Sequence, residues 1–335
     1  PGLFVYPARD FSGKVEVVDI GMPAGIFSKE DARFHLLDDS FVASVLRPRK
    51  KNTHKGTYGH TLVIGGSTGK TGAPYMAALG AMRAGAGLAT IALPKSLDKV
   101  MSEKTVEVMT YPLPETAAST LGDISFLETI KAMKAKTSVV IGPGLGGGDT
   151  FGYVRHVVEK CVELGLPVVV DADGLNALSK DISVLKKASK KGGKIVITPH
   201  PGEAGRLLGI SAKDIQSDRI GFAERLFKET GSTIVLKGAG TIVASKEKVF
   251  INPTGNPGMA SAGTGDVLSG IIGAFLSQGI DASSSACAAV YLHGLCGDEV
   301  ASRRGEIGLL ATDILNELPV VINSLAEKSR SRLAD

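Results

Sequence analysis

Short apolar runs punctuate the chain: Leu62-Val63-Ile64, Leu88 to Leu93, Val139-Val140-Ile141, Val168-Val169-Val170, Ile195-Val196-Ile197 and Ile234-Val235-Leu236. Most are apolar at consecutive positions rather than alternate ones. Strands of that kind need cover on both faces, as in a sheet packed between two helix layers. Longer segments with helical character lie between and after them, Ala73 to Ala84, Phe151 to Leu164, Val267 to Leu276 and Ala286 to Val300. The alternation predicts an α/β fold in which helices sandwich a mostly parallel central sheet. Ligands of open α/β sheets bind beyond the carboxyl ends of the strands. The informative residues are therefore those just after each apolar run.

Two features of the N-terminal part stand outside this pattern. Gly13 to Pro23 reads as one strand and a turn, and a polar, charged stretch follows to about Lys55. That stretch contains the basic run Arg47-Pro48-Arg49-Lys50-Lys51, either a solvated linker or a rim attracting phosphorylated substrates.

Composition narrows the classes. With 335 residues, 43% hydrophobic and 21% charged, the chain suits one large globular domain or two smaller ones. A net charge of +4 is too mild for a nucleic-acid surface. No apolar run reaches the ~18 residues of a membrane span. The three cysteines, Cys161, Cys287 and Cys296, form no CxxC pair, so reduced thiols in a cytoplasm are expected.

Several loops carry candidate chemistry, each with a plainer reading beside it. The string Asn256 to Gly270 leads small residues into an uncharged helix start. The backbone N–H groups of Gly263, Thr264 and Gly265 suit an anion there. Asp266 beside them is either a general base or a helix cap. Gly65-Gly66-Ser67 to Ala73 is a Gly-rich turn before a helix. Gly142-Pro143-Gly144-Leu145-Gly146-Gly147 contains a G-x-G-x-x-G, which alone suggests a Rossmann dinucleotide site; Pro143 and the late Asp171 and Asp173 count against it. His200 and Glu203 follow the 195–197 run, Glu203 being either a helix cap or a residue that holds magnesium through water. Lys237-Gly238-Ala239-Gly240-Thr241 is either a hairpin turn or a phosphate loop. Asp171 and Asp173 either help to place a magnesium ion or cap a turn. His293 reads as packing.

In order, Lys55-Gly56-Thr57-Tyr58-Gly59-His60 with Gly65-Gly66-Ser67, the Gly142 to Gly146 loop, Thr198-Pro199-His200-Pro201-Gly202-Glu203, Lys237 to Thr241 and Asn256 to Gly270 resemble the C-terminal domain of the YjeF family. These are ribokinase-like, ADP- or ATP-dependent NAD(P)H-hydrate dehydratases. The resemblance covers roughly residues 50 to 325. It implies a ribokinase-like α/β/α sandwich that dehydrates (6S)-hydrated NADH or NADPH. Asp266 would be the base, and Ala73, Gly144, Gly146, His200 and Asp266 would contact the hydrated substrate. Lys237 to Thr241 and Gly263 to Gly265 would hold the adenine nucleotide, with Mg²⁺ as charge bridge and Glu203 reaching it through water. ADP is the expected donor in a bacterial member and ATP in a eukaryotic one. A cytoplasmic homo-oligomer, a tetramer or larger, without nucleic-acid or membrane partners is expected. Within the same fold a vitamin kinase remains the nearest alternative. An oxidoreductase using intact NAD and a non-catalytic nucleotide-binding regulator represent other classes.

Gly13 to Pro23 also resembles the closing strand of the family's other domain, an epimerase. The expectation is therefore a division at residues 1–25 and 26–330, the chain being the C-terminal part of a bifunctional protein. The strand should pair with a sheet edge or a partner chain, and the chain should act on the S epimer without hastening R-to-S conversion.

Overall fold

The computed structural model describes residues 2–16, 18, 20, 21, 32–46, 49–148, 150–246 and 248–332, without the side chains of 328–332. Ten strands form one sheet: β1 (Phe34–Leu36), β2 (His60–Ile64), β3 (Leu88–Pro94), β4 (Met109–Leu113), β5 (Ser138–Ile141), β6 (Val168–Val170), β7 (Ile195–Ile197), β8 (Thr233–Leu236), β9 (Ile242–Ser245) and β10 (Lys248–Ile251). Their spatial order is β1-β10-β9-β8-β7-β6-β5-β2-β3-β4. From β8 across to β4 all pairs are parallel. β9 runs antiparallel to both β8 and β10, and β1 is parallel to β10.

The consecutive apolar runs are strands buried on both faces. Val139, Val140, Ile141 and all of β6 are inaccessible to solvent. Val63, Val140, Val169, Val196 and Val235 point to one helix layer, which includes the Gly72–Arg83, Thr264–Ser277 and Ala282–Arg304 helices. Leu62, Ile64, Val139, Ile141, Val168 and Val170 point to the other, which includes Phe151–Glu163 and Pro201–Leu208. This is the expected three-layer sandwich. The Thr264–Ser277 helix is buried from Val267 to Ser277, which explains why its sequence lacks a polar face.

Chain order reverses direction between β2 and β5. From β2 the chain steps outward to β3 and β4; from β5 it steps the other way through β6, β7 and β8. The chain therefore leaves β2 and β5 toward opposite edges of the sheet, and the loops after these two strands mark the crevice where open α/β sheets take ligands.

The N-terminal expectations fare differently. Within Gly13–Pro23, Val17, Asp19, Met22 and Pro23 lie outside the described residues, and the described ones carry no strand pairing. The 25/26 boundary and Arg47-Pro48 also lie outside the described residues. The polar stretch before Lys55 contributes edge strand β1 and the helix Asp39–Val45, capped by Asp38, whose carboxylate accepts from the Phe41 N–H at 2.8 Å. Earlier still, Gly2–Phe4 and Arg9–Ser12 make two short turns.

Candidate active site

Two sets of loops meet at the carboxyl ends of the parallel strands. The first lies at the crevice between β2 and β5. Gly66 N donates to Pro143 O at 3.0 Å, and Ser67 Oγ donates to Gly144 O at 2.9 Å, knitting the loops together. Gly144 has φ +64°, and a Cβ there would lie 2.5 Å from the Lys70 carbonyl oxygen and 3.2 Å from the Ala73 Cβ. Ala73 and Gly144 therefore share one wall. Gly146 N donates to Asp173 Oδ2 at 2.9 Å, and Lys70 Nζ stands 3.4 Å from the same carboxylate. Asp173 thus positions the crevice loop. A Rossmann reading of this loop does not fit the geometry. The next helix begins only at Phe151, so the glycines do not deliver their N–H groups to a helix N-terminus.

The second set surrounds a cavity of about 520 Å³. Lys237, Gly238, Ala239, Gly240 and Thr241 line it from the β8–β9 hairpin, and Thr264 and Gly265 line it from the helix start. The hairpin reading holds, since β8 and β9 pair antiparallel on either side of this loop. Buried Arg219 supports it from beneath, donating to Leu236 O at 3.1 Å and Lys237 O at 3.3 Å. The Asn256 loop is anchored by Asp298, whose carboxylate accepts from Gly255 N at 2.8 Å and Asn256 Nδ2 at 2.9 Å.

Asp266 stands in the first turn of the Thr264–Ser277 helix, whose N-cap Gly263 is left-handed at φ +90°. That conformation, which L side chains rarely adopt, lets the chain enter the helix with its first N–H groups free of carbonyl partners. Burial first, and then the Asp171 carboxylate, push the Asp266 pKa up to about 7. Lys237 opposes this shift, while Asp173 and Glu203 add to it. A carboxylate near neutrality in a ligand crevice is matched to proton transfer.

Behind Asp266 lies a buried charge cluster. Lys237 Nζ is 2.8 Å from Asp171 Oδ1 and 3.8 Å from Glu203 Oε2. Asp171 also accepts from Ser269 Oγ, one turn along the helix from Gly265. Burial pushes the Asp171 carboxyl up, but Lys237 and its hydrogen bonds hold it below the usual range. Lys237 was expected to neutralise phosphate; its charge is already shared by two carboxylates. His200 and Glu203 form a capping box. His200 Nδ1 accepts from Gly202 N at 3.0 Å and Glu203 N at 3.4 Å, and Glu203 Oε2 accepts from His200 N at 2.8 Å. Burial lowers the His200 pKa, with Lys237 and Arg206 adding to the shift and the Glu203 carboxylate opposing it. His293, read from the sequence as packing, lines the cavity, with Nε2 2.9 Å from Thr264 O. Its partner lies 29 positions away, so local sequence gave no signal for the contact.

The family model described as NAD(P)H-hydrate dehydratase matches residues 61–320. The chain belongs to the NAD(P)H-hydrate dehydratase family. An ADP-dependent (S)-NAD(P)H-hydrate dehydratase of Neisseria meningitidis is 37% identical, over 81% of this chain and 87% of its own. A bifunctional NAD(P)H-hydrate repair enzyme of Moorella thermoacetica is 42% identical over 99% of this chain, which spans 62% of that relative's length. The ADP/ATP-dependent NAD(P)H-hydrate dehydratase of Bacillus subtilis, co-crystallized with ATP/Mg²⁺, superposes with a TM-score of 0.73 at 30% identity, covering 87% of this chain and 98% of its own. The dehydratase family shares the ribokinase-like fold, in agreement with the sheet and layers described above.

Proposed function

We propose that this chain dehydrates (6S)-hydrated NADH and NADPH at the expense of ADP or ATP. One observation carries the reading: Asp266 directly follows Thr264 and Gly265, which line the cavity, and its carboxylate interacts with Asp173, which holds the crevice loop at Gly146. The hydrated dinucleotide would enter the crevice past Ala73, Gly144 and Gly146, with His200 as a further contact. The nucleotide would fill the cavity against Lys237 to Thr241. Asp266 takes the proton of the ring hydroxyl as its oxygen attacks the terminal phosphorus. N–H groups of the Gly263–Gly265 turn hold the phosphoryl oxygens. Phosphate then leaves with the former hydroxyl oxygen, driven by the ring nitrogen's electron pair, and loss of a proton from the neighbouring ring carbon restores the carbon–carbon double bond. Reduced nicotinamide, phosphate and the shortened nucleotide remain. The protein's task is alignment and charge stabilisation, as in other phosphoryl transfers.

The donor set fits a magnesium ion. Asp171, Glu203 and Asp266 outnumber the nearby Lys237, leaving an acidic surplus beside the nucleotide phosphates. Among the described residues no group of three or more His, Cys, Asp or Glu could hold a metal by itself. A cation carried mainly by phosphate and water, with one or two carboxylates, suits such a site. Asp266 and Glu203 are the residues that would face it, and when bound it would neutralise charge on the transferring phosphate. Among the described residues no helix is long and apolar enough to cross a membrane. Three free, buried cysteines support a cytoplasmic location. We infer a homo-oligomer, a tetramer or larger; exposed Val100 and Val106, with Met109 in edge strand β4, offer apolar surface for a second copy.

Hydrated NADH mixed with the protein, Mg²⁺ and ADP or ATP should regain the NADH absorbance band. Failure with both nucleotides overturns the reading.

A further inference from the structure

A dinucleotide in the crevice carries a diphosphate, and a diphosphate needs cations. Around Asp266 the charge has the wrong sign, because Asp171, Asp173 and Glu203 surround it with Lys237 as the opposing charge. At the rim the balance reverses. A chain of polar contacts runs from the Gly146 loop to the helix that begins after His200. Lys70 Nζ stands 3.4 Å from Asp173 Oδ2, Asn176 Nδ2 donates to Asp173 Oδ1 at 3.5 Å, and Arg206 Nε donates to Asn176 Oδ1 at 2.8 Å. Two cations therefore share one carboxylate.

Arg206 is an exposed residue in the last turn of the Pro201–Leu208 helix. A basic residue there ordinarily offsets the helix dipole at the carboxyl end. This guanidinium lies toward the other end. A Cβ on Gly202, four positions back, would lie 2.8 Å from His200 Cε1 and 3.9 Å from Arg206 Nη1. The guanidinium and the His200 imidazole thus border the same spot. Asn176 engages Nε, and among the described residues neither Nη has a hydrogen-bond partner or an ion pair. Two free N–H₂ groups on a plane held from behind make a fork that matches phosphate oxygens.

We propose that Arg206, steadied by Asn176 and assisted by Lys70, binds the diphosphate of the hydrated dinucleotide at the crevice rim, an assignment that rests on the crevice being the site of that substrate. The ring lies inside against Ala73 and Gly144, where shape selects it. The diphosphate lies one ribose further out, where charge holds it.

The test is fluorescence titration of NADH, NADPH and reduced nicotinamide riboside, which carries no phosphate, into the full chain and into R206A, R206K, N176A and K70A. R206A should weaken NADH about tenfold, the lower end for hydrogen bonds to a charged group. R206K should restore part of that loss, since an ammonium keeps the charge without the fork. N176A, which releases the guanidinium, and K70A should each weaken NADH about threefold. The riboside should change by less than about twofold throughout. The decline of NADH affinity with added salt should be shallower in R206A. In turnover, R206A should raise the KM for hydrated NADH and leave the KM for ADP within about twofold. Equal NADH affinity in R206A and the unaltered chain overturns the inference and leaves the proposed function standing. Riboside weakened as much as NADH marks a structural disturbance and overturns the phosphate assignment. A loss confined to NADPH places the guanidinium at that dinucleotide's extra phosphate and overturns the diphosphate assignment. An unaltered chain that neither binds NADH nor turns over hydrated NADH overturns the functional reading and this inference together.

Discussion

The crevice loops and the cavity are built in opposite ways. The crevice is made of backbone. Two loops at the point where strand order reverses are held by Gly66 N to Pro143 O and Ser67 Oγ to Gly144 O, and glycines leave the space. The cavity is made largely of side chains drawn from distant stretches, among them Arg9, Lys237, Asn256, Leu268 and His293. On the proposed assignment, selectivity for the large dinucleotide would rest on shape, fixed by hydrogen bonds between adjacent strands' loops, and selectivity for the nucleotide would rest on charge.

The sharpest way to break this comparison is D266N, since the proposed reaction joins the two sites at Asp266. Turnover should fall by ~10²- to 10⁴-fold, as for loss of a general base. Nucleotide and dinucleotide affinities should each stay within about twofold, checked by separate titrations. Near-normal turnover would remove Asp266 from the chemistry.

K237A should act first on the fold. It leaves Asp171, 1% exposed, as a buried unpaired carboxylate. Breaking such a pair costs about 3–5 kcal/mol, readable in urea unfolding. A variant as stable as the parent, but with much weaker ADP binding, would restore Lys237 to a direct phosphate role.

G144A sharpens the contrast from the other side. Its Cβ would lie 2.5 Å from Lys70 O, at a φ of +64° that alanine reaches at a cost of about 1–2 kcal/mol. Hydrated-dinucleotide affinity should drop about tenfold while ADP affinity holds. An equal loss for both ligands would mean that the two sites are not separate.

The smallest expected effect concerns pH. Asp266 has a folded pKa raised from 3.8 to about 7, so its contribution to stability is fully present below pH ~4 and is lost as pH rises through about 7. D266N removes the cost of burying that charge. Its Tm should exceed the parent's by a few degrees at pH 8 and match it near pH 4. Equal melting temperatures at both pH values would place Asp266 in a better-solvated setting.

How much of this was legible in the sequence follows the same division. The crevice glycines, Gly263 to Asp266 and the Lys237 hairpin all sit directly after strands or at a helix start, and short motifs expose such positions. The buried strands were equally plain, because β5 and β6 have no polar face to confuse them. β1 was missed: Phe34, His35 and Leu36 make only three residues on a half-exposed edge, too short for a pattern to show. The contacts of Arg219, His293 and Asp298 around the cavity were missed because they close over long stretches of chain. The pairing that ties up Lys237 was also invisible, since Asp171 lies 66 positions away. Motifs reveal that a lysine is present, and only the fold reveals what already holds its charge.

The step that joins the two sites is the passage of the ring oxygen from the crevice to the phosphate. Hydrated NADH carrying ¹⁸O in its ring hydroxyl, turned over with unlabelled ADP or ATP, reads that step directly by mass spectrometry of the products. The label should appear in inorganic phosphate in step with NADH recovery. Label released into water, with unlabelled phosphate formed alongside, would contradict phosphorylation of the hydroxyl and the role given to Asp266.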